Sequence, residues 1–320
     1  MTIRVKPLLL VITVIFFSYF SSHSVFCSKE QINQGVELHI LGVAQDAGYP
    51  QINCYQPHCM PGWLKQENKR EATALALIDR KFKKKYLFEA TPDLPKQLYQ
   101  LHRLAADTDY PLSGVFLTHA HIGHYTGLMY FGREAAGAEN VPVYAMPRMR
   151  LFLKENAPWS QLITLNNISL HNLAENSPQQ LTKQLNVTPF IVPHRDEFSE
   201  TVGYTIRGPN KTALFIPDID KWTKWQVDIK SLILSVDYAF LDGTFFNNKE
   251  LPNRDINEVP HPFVIESMQL FNDLPSSEKN KIYFIHFNHS NPLLNLASKE
   301  AKLVLSAGFH IAASGMNFSL

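Results

Sequence analysis

Short β-rich apolar runs alternate with helix-like segments along the chain from Val36 onward. The periodicity of apolar positions separates the two kinds of segment, because strands repeat every second residue and helices every three to four. The predicted strands are Glu37–Gly42, Ala72–Ile78, Tyr86–Phe88, Gly114–Leu117, Val141–Tyr144, Pro189–Val192, Val202–Ile206, Thr212–Ile216, Tyr238–Leu241 and Lys281–Ile285. The predicted helices are Leu94–Ala105, Gly127–Ala136, Pro147–Asn156, Pro262–Asn272 and Leu294–Ala307. Sheets interrupted by helices at this density predict an α/β sandwich with helices on the outside.

Residues of types that can bind metals come soon after many of the predicted apolar strands. Because these strands are expected to share a sheet edge, their side chains should meet there. The residues in question are His119, His194, Asp218, Asp242 and His286. A lone histidine beside a strand is usually an ordinary surface or core residue. Repetition of the pattern behind several strands favours a metal site instead.

Length and charge leave one large domain and a small-molecule substrate as the simplest expectation. The chain has 320 residues and a formal net charge of +1. No linker or repeat marks a boundary, so we predict one domain over residues 28–320. The basic cluster Lys81 to Lys85 lies between two predicted strands and is expected to be a solvated hairpin turn. No basic run of the kind that binds nucleic acid is present, and nucleic acid is not an expected partner. Oligomeric state is not predicted.

The first residues have the pattern of a secretory signal. Arg4 and Lys6 precede an apolar stretch from Leu8 to Phe20, which is followed by small polar residues. This stretch is shorter than the roughly 20 residues of a membrane span, so cleavage is favoured over permanent anchoring. We predict that residues 1–27 are the signal peptide, with the mature chain starting between residues 21 and 30 in the periplasm or outside the cell. Lipid attachment at Cys27 is not favoured, because the preceding residue is bulky.

Two cysteines lie close together at Cys54 and Cys59, with His58 beside them. Export to an oxidising compartment favours a short-loop disulfide. A structural zinc site is the second alternative, and it needs a fourth ligand from elsewhere. A pair of free, buried thiols is the third.

The segment from Thr118 to His124 carries the densest set of metal ligands in the chain. An extended backbone puts His119 and His121 on the same side, so both can bind one ion. His124 follows Gly123 and can face a second ion at the spacing of two-metal sites, about 3.5 to 4 Å. The predicted metal ligands are His119, His121, His124, His194, Asp218 and His286, with Asp218 bridging the ions.

Imidazole and carboxylate ligands suit zinc, and they also accept iron or manganese. We therefore expect one or two zinc ions. A water bound between them loses a proton near neutral pH and supplies a hydroxide nucleophile.

Together these residues resemble the metallo-β-lactamase superfamily, and within it the branch of the pyrroloquinoline quinone biosynthesis protein B. The resemblance rests on the histidine motif, the segments Leu41–Cys54 and Ala90–Asp93, Asp242 to Phe245 and Ile285 to Pro292. It implies a four-layer αββα sandwich with metals at the sheet edges.

The histidine motif departs from the superfamily pattern HxHxDH, which has an aspartate where this chain has Gly123. The second ion then keeps only His124, Asp218 and His286, so we expect it to bind more weakly than the first. Gly123→Asp is expected to tighten it if the backbone tolerates a side chain. His289 and Asp242 are candidates to compensate and, with Asp218, are the predicted catalytic residues. The alternatives are a pocket-lining role for His289 and a hydrogen-bonding role for Asp242, while Glu89 is expected to be structural.

These observations predict an exported metal-dependent hydrolase that acts on an ester, amide or phosphodiester. An oxidative enzyme with a redox metal and dioxygen, like the role proposed for the quinone-biosynthesis branch, is the second hypothesis. A metal- or ligand-binding protein without turnover is the third.

Overall fold

The computed structural model describes residues 35–251, 255 and 258–320. In this part of the chain fourteen strands form two seven-stranded sheets. The strands are β1 (Val36–Gly42), β2 (Ala74–Asp79), β3 (Lys84–Phe88), β4 (Leu112–Phe116), β5 (Val141–Ala145), β6 (Ile168–Asn172), β7 (Gln179–Thr182), β8 (Leu185–Ile191), β9 (Val202–Arg207), β10 (Thr212–Ile216), β11 (Tyr238–Asp242), β12 (Ile282–Ile285), β13 (His310–Ile311) and β14 (Asn317–Ser319). The predicted signal segment, residues 1–27, lies outside the described residues.

Each sheet has a parallel half whose strands end at one edge. The first sheet runs β14-β1-β2-β3-β4-β5-β6, with β3 to β6 parallel. The second runs β13-β12-β11-β10-β9-β8-β7, with β10 to β13 parallel. Because parallel strands leave their carboxyl ends at the same edge, the residues after β10, β11 and β12 emerge side by side.

Helices cover the outer faces of both sheets. They are α1 (Met60–Leu64), α2 (Leu94–Leu104), α3 (Ile122–Tyr125), α4 (Pro147–Glu155), α5 (Trp159–Thr164), α6 (Ile229–Leu234), α7 (Val264–Leu270), α8 (Ser276–Lys279) and α9 (Lys299–Ser306). Leu101 of α2 and Leu153 of α4 pack on the first sheet. Between the sheets lies a second core, in which Phe88 and Phe116 meet Tyr204 and Phe215. The four-layer αββα sandwich predicted from the sequence is confirmed.

Most of the differences from the predicted elements concern short segments. Four strands, β6, β7, β13 and β14, were not predicted, since each is short or lacks clear alternation. The helix predicted over Gly127–Ala136 is wrong, because the chain forms only a 3₁₀ helix over Thr126–Phe131 and then turns at Gly132. In the part of the chain that the structure describes, no helix is long and apolar enough to span a bilayer.

The basic cluster between β2 and β3 is a hairpin turn, as expected, with one exception. Lys81, Lys83 and Lys84 are exposed. Lys85 is only 1% exposed, because its ammonium group donates to the carbonyl of Ala105 at 2.7 Å and pairs with Asp107. A buried lysine needs such partners, which an isolated basic run in the sequence does not reveal.

Candidate metal centre

The six predicted metal ligands meet where the two sheets approach each other. His119, His121 and His124 follow β4 of the first sheet, whereas His194, Asp218 and His286 follow β8, β10 and β12 of the second. The strands are apolar and buried, so they are fixed in the core while the polar residues behind them lie at its edge. The centre is therefore built from both sheets.

One group of donors contains His119, His121, His194 and Asp218. Their donor atoms all lie within 4.8 Å of one another. Nε2 of His119 is 2.8 Å from Nδ1 of His121 and 3.4 Å from Oδ2 of Asp218. Nε2 of His194 is 3.3 Å from Oδ1 of Asp218. Ligands that share one ion at about 2.0 to 2.2 Å each have such separations.

A second group lies on the other side of the Asp218 carboxylate. Oδ2 of Asp218 is 3.6 Å from Nε2 of His124 and 4.0 Å from Nε2 of His286. The carboxylate of Asp46, a residue that sequence reasoning missed as a ligand, joins His124 and His286 in a group whose donor atoms lie within 4.8 Å of one another. Asp218 thus stands between two groups, the position of a bridging ligand.

Three of the histidines have their remaining ring nitrogen hydrogen-bonded to a neighbouring oxygen, and Nδ1 of His124 lies at ion-pair distance from Glu89. This arrangement fixes the ring and the tautomer, as it does in known metal sites. The pairs are Thr118 Oγ1 with His119 Nδ1 (2.9 Å), Glu197 Oε2 with His121 Nε2 (3.2 Å), Glu89 Oε1 with His124 Nδ1 (3.4 Å) and Thr244 Oγ1 with His286 Nδ1 (2.9 Å). Glu89 is fully buried and also accepts from the backbone of Thr118. It therefore orients His124.

The donors fit divalent metal ions because several are buried and have no hydrogen-bond partner. These are both ring nitrogens of His194, Nε2 of His124 and of His286, and Oδ1 of Asp218. Unpaired buried groups of this kind are costly unless something binds them. Within the described residues, no lysine or arginine nitrogen pairs with Asp218, Asp242 or Glu89, and the basic groups that face these carboxylates are imidazoles. A set of imidazoles and carboxylates suits zinc, iron or manganese.

Burial prepares His119, His194 and His286 for metal binding, but His124 must lose a proton, because Glu89 and Asp218 outweigh burial and raise its pKa to about 9. Burial holds the pKa of His119 and of His286 well below the usual range, and the neighbouring histidines add to the effect. Burial lowers the pKa of His194 to about 4, although Asp218 opposes the shift. Neutral imidazole is the form that binds a metal, so these rings need not lose a proton near pH 7. Burial raises the pKa of the Asp218 carboxyl.

Sequence reasoning also missed His261, which lies beside the bridging carboxylate. Its Nδ1 is 3.1 Å from Oδ1 of Asp218 and 2.9 Å from Oδ2 of Asp242. Burial lowers the pKa of His261, but Asp242 and Asp218 outweigh burial and raise it to about 8. The only sequence signal was a histidine between two prolines, with no strand before it.

Asp242 has the hydrogen-bonding role that was one of its two alternatives. Its carboxylate accepts from the backbone of Ile219 and from both the backbone and hydroxyl of Thr244, and it contacts His261. These contacts engage both of its oxygens. Asp242 therefore positions its neighbours, and its carboxylate forms a group of possible donors with Asp218 and His261, not with His124 and His286.

His289 lies in a different cluster from the one expected for a compensating ligand. The structure groups it with Cys54, His58 and Cys59, whose donor atoms lie within 4.8 Å of one another. Cys54 and Cys59 form a disulfide, and the ring of His289 is 5.6 Å from that of His58. His289 and His58 line an open groove of about 680 Å³, which agrees with a pocket-lining role for His289.

Gly123 cannot accept the aspartate that the superfamily motif has. A Cβ atom on Gly123 would lie 2.3 Å from Cα of Asp46 and 3.0 Å from its carbonyl oxygen. The obstacle is a neighbouring backbone, not a left-handed conformation at residue 123. Gly123→Asp was expected to tighten the second site only if the backbone tolerates a side chain there, and the structure does not meet this condition.

Comparison with known proteins agrees with this geometry. A family model described as "Beta-lactamase superfamily domain" matches residues 84–287. "Coenzyme PQQ synthesis protein B" of Gluconobacter oxydans is 27% identical over 308 residues, covering 89% of this chain and 99% of that protein.

Two solved structures show the same fold. The Zn²⁺-bound PqqB from Methylobacterium extorquens superposes with a TM-score of 0.75 at 23% identity, covering 89% of this chain and 100% of that one. A diphosphatase from the PhnP family gives a TM-score of 0.63 at 20% identity, covering 89% and 97%. The resemblance to the PQQ synthesis protein B branch is thus confirmed, and the chain belongs to the metallo-β-lactamase superfamily.

Proposed function

We propose that the protein is an exported metal-dependent hydrolase that cleaves an ester, amide or phosphodiester bond in a small-molecule substrate. One observation carries this proposal: the buried carboxylate of Asp218 lies between two groups of imidazoles whose donor atoms have no other partner. Hydrolysis by this class of site depends on such a shared centre.

When bound, divalent ions supply Lewis acidity and lower the pKa of water to near neutrality. The chain itself orients the reacting groups. Asp218 is fixed between the two donor groups by burial on all sides, and its side chain is 3% exposed. His261 is held through Nδ1 by a hydrogen bond with Asp242 and lies beside Asp218, which leaves its other ring nitrogen to bind or pass a proton. We assign His261 the role of a proton carrier for the leaving group.

Substrate reaches the centre from the side of Asp46 and His121. The Asp46 side chain is 41% exposed and that of His121 is 14% exposed, whereas His119, His124, His194 and His286 are almost fully buried. Glu197, which contacts His121, is also exposed on this side. A substrate would therefore meet acidic side chains at the entrance.

The hydrolase proposal is tested with purified mature protein, zinc and three chromogenic substrates: bis(p-nitrophenyl) phosphate, p-nitrophenyl acetate and a β-lactam amide. We expect turnover of at least one that is lost with a chelator and restored by zinc. Asp218→Asn should abolish it, while His171→Ala, a change of an exposed histidine on β6, should not. Retained metal without turnover of any of the three would contradict hydrolysis and favour a binding protein.

Export is proposed from the signal-like first residues and is tested separately. N-terminal sequencing of protein from the native host should start between residues 21 and 30. Recovery of Met1 would contradict export without affecting the hydrolase proposal.

The similarity to coenzyme PQQ synthesis protein B favours an oxidative role as the second candidate. The donor set of the centre accepts iron as well as zinc. Elemental analysis of native protein separates the two proposals. Iron together with substrate-dependent oxygen uptake would favour oxidation, whereas zinc without oxygen uptake would favour hydrolysis.

A further inference from the structure

The carboxylate of Asp46 occupies the space that a side chain at position 123 would need. A Cβ atom built on Gly123 would lie 2.8 Å from Oδ1 of Asp46, within the reach of an aspartate's own carboxylate. The superfamily motif carries its aspartate at this position of the chain. In this protein a carboxylate comes to the same place from the loop after β1.

We infer that Asp46 is the anionic ligand of the second metal ion and replaces the aspartate of the HxHxDH motif. The full set would be Asp46, His124 and His286, with Asp218 shared between the ions. The inference uses the metal centre on which the proposed function rests, but it concerns binding and not turnover.

The donors opposite Asp46 have no other partner. Nε2 of His124 and Nε2 of His286 are buried and make no hydrogen bond. Oδ1 of Asp46 lies 4.0 Å from Nε2 of His124. This distance is too long for a hydrogen bond. It fits two ligands of one ion, which at about 2.0 to 2.2 Å each are at most about 4.4 Å apart.

The backbone holds Asp46 next to His286. The amide of Gln45 donates to the carbonyl of Phe287 at 2.8 Å, and the amide of Phe287 donates to the carbonyl of Val43 at 2.8 Å. The loop that carries Asp46 is thereby joined to the segment that carries His286. Neither ligand can move far without breaking these bonds.

With Asp46 included, the second metal site has more ligands than the sequence motif with Gly123 suggests. The first group has His119, His121 and His194, and the second has Asp46, His124 and His286, each with a share of Asp218. Both groups have three donors of their own. We therefore expect two ions to remain bound, instead of a second site that is partly empty.

The first test is Asp46→Asn, which keeps the side-chain size and removes the charge. After dialysis against metal-free buffer, zinc per chain should fall from about two to about one. Affinity at the second site should fall by more than about 100-fold, since even partners one shell outside the ligands change affinity about 10- to 100-fold. Titration with Co²⁺, followed by its absorption spectrum, measures each site without any substrate. Asp109→Asn is the matched control, because Asp109 is exposed and belongs to none of the donor groups. This variant should keep both ions.

The second test removes the carboxylate and the rest of the side chain together. Asp46→Gly does this without backbone strain, because glycine suits the φ of +43° at residue 46. We expect this variant, like Asp46→Asn, to keep one ion and lose the second. Two ions bound with unchanged affinity by either variant would overturn the inference. Because the readout is metal content, failure here is distinct from failure to find a hydrolysed substrate.

Discussion

Three residues of the centre have a backbone conformation that is unfavourable for their side chains. Asp46, Glu89 and His286 have φ values of +43°, +75° and +67°. Such conformations cost of order 1 to 3 kcal/mol each and persist where the surrounding structure fixes them. Here two of the three carry donor groups and the third orients His124. The strain is therefore placed where the direction of a side chain matters to metal binding.

At the same scale, His261 can be tested apart from the metal ligands. We predict that His261→Asn lowers kcat by about 100-fold or more, because proton transfer by a positioned side chain typically contributes about 10²- to 10⁴-fold. Zinc content should stay the same as in the wild type. The measurement combines steady-state kinetics on an alkyl ester, whose leaving group needs a proton, with elemental analysis.

The control for this prediction compares two substrates that differ in their leaving group. With a substrate whose leaving group needs no proton, such as p-nitrophenolate, the variant should lose less activity than with an alkyl ester. Equal losses on both substrates would contradict a proton-carrying role. Loss of zinc in the variant would instead make His261 a ligand.

Residues with a local signal could be identified from sequence, and residues without one could not. His119, His121 and His124 stand in a motif, and His194, Asp218 and His286 each follow an apolar strand. Asp46 lies in a loop and His261 between two prolines, so their positions depend on how distant segments pack. The sequence also could not show why position 123 is a glycine, because Asp46, which lies against it, is remote in sequence.

Among the secondary-structure elements, the buried strands were the easiest to predict. β10 has the predicted bounds, and β1, β9, β11 and β12 differ from prediction by one residue at an end. β10, β11 and β12 are buried along almost their whole length, whereas β1 and β9 carry polar residues such as Glu37 and Arg207 beside their apolar ones. The peripheral strands β6, β7, β13 and β14 are short or more polar, so pairing with a neighbour defines them better than their own composition does.

Gly127 lies where the chain after the histidine motif contacts the residues that follow β3. Gly127 donates to the carbonyl of Ala90, and Ala90 donates to the carbonyl of His124, both at 2.9 Å. A Cβ on Gly127 would lie 2.0 Å from the carbonyl oxygen of Thr91. We predict that Gly127→Ala lowers the free energy of unfolding by about 1 to 3 kcal/mol, as overpacking does. It should also weaken the second metal site, because His124 must shift.

Urea denaturation and zinc titration measure these two effects. Gly137→Ala is the control, since no atom lies within 4 Å of a Cβ there, although its positive φ carries a small cost of its own. This control should leave metal affinity unchanged. Unchanged zinc binding by Gly127→Ala would show that the segment adjusts without moving His124.

The segment from Cys54 to Cys59 can be tested for the disulfide that the structure contains. We predict that peptide mapping of the mature protein under non-reducing conditions finds Cys54 linked to Cys59. Replacing both with serine should leave the ions at His119 and His124 in place, because those ligands belong to different groups. Two free thiols with one additional zinc per chain would instead support the structural zinc alternative, with His58 and His289 completing the set.

At the scale of the whole molecule, the centre joins the two sheets. Three histidines follow β4 of the first sheet, and the remaining strand-derived ligands follow strands of the second. The fold could be predicted in part because metal-binding residues follow several strands, which implies that those strands end at one shared edge. Its two-sheet arrangement came from the family resemblance, since periodicity alone does not say which strands pair.

This arrangement predicts that metal binding stabilises the whole domain. Ions bound by residues of both sheets bind the folded state and not the unfolded chain, so each ion raises the free energy of unfolding by about 2.7 kcal/mol when free metal is 100 times Kd. For a domain of this size one ion corresponds to a rise in Tm of roughly 5 °C. Chelator-treated protein should therefore melt at a lower temperature, and added zinc should restore it. Asp218→Asn should lose most of the zinc-dependent rise, because it removes the carboxylate shared by both groups, whereas His171→Ala should keep it. A Tm that does not respond to zinc in the wild type, measured by calorimetry with metal content checked in parallel, would mean that the donors do not link the sheets through an ion.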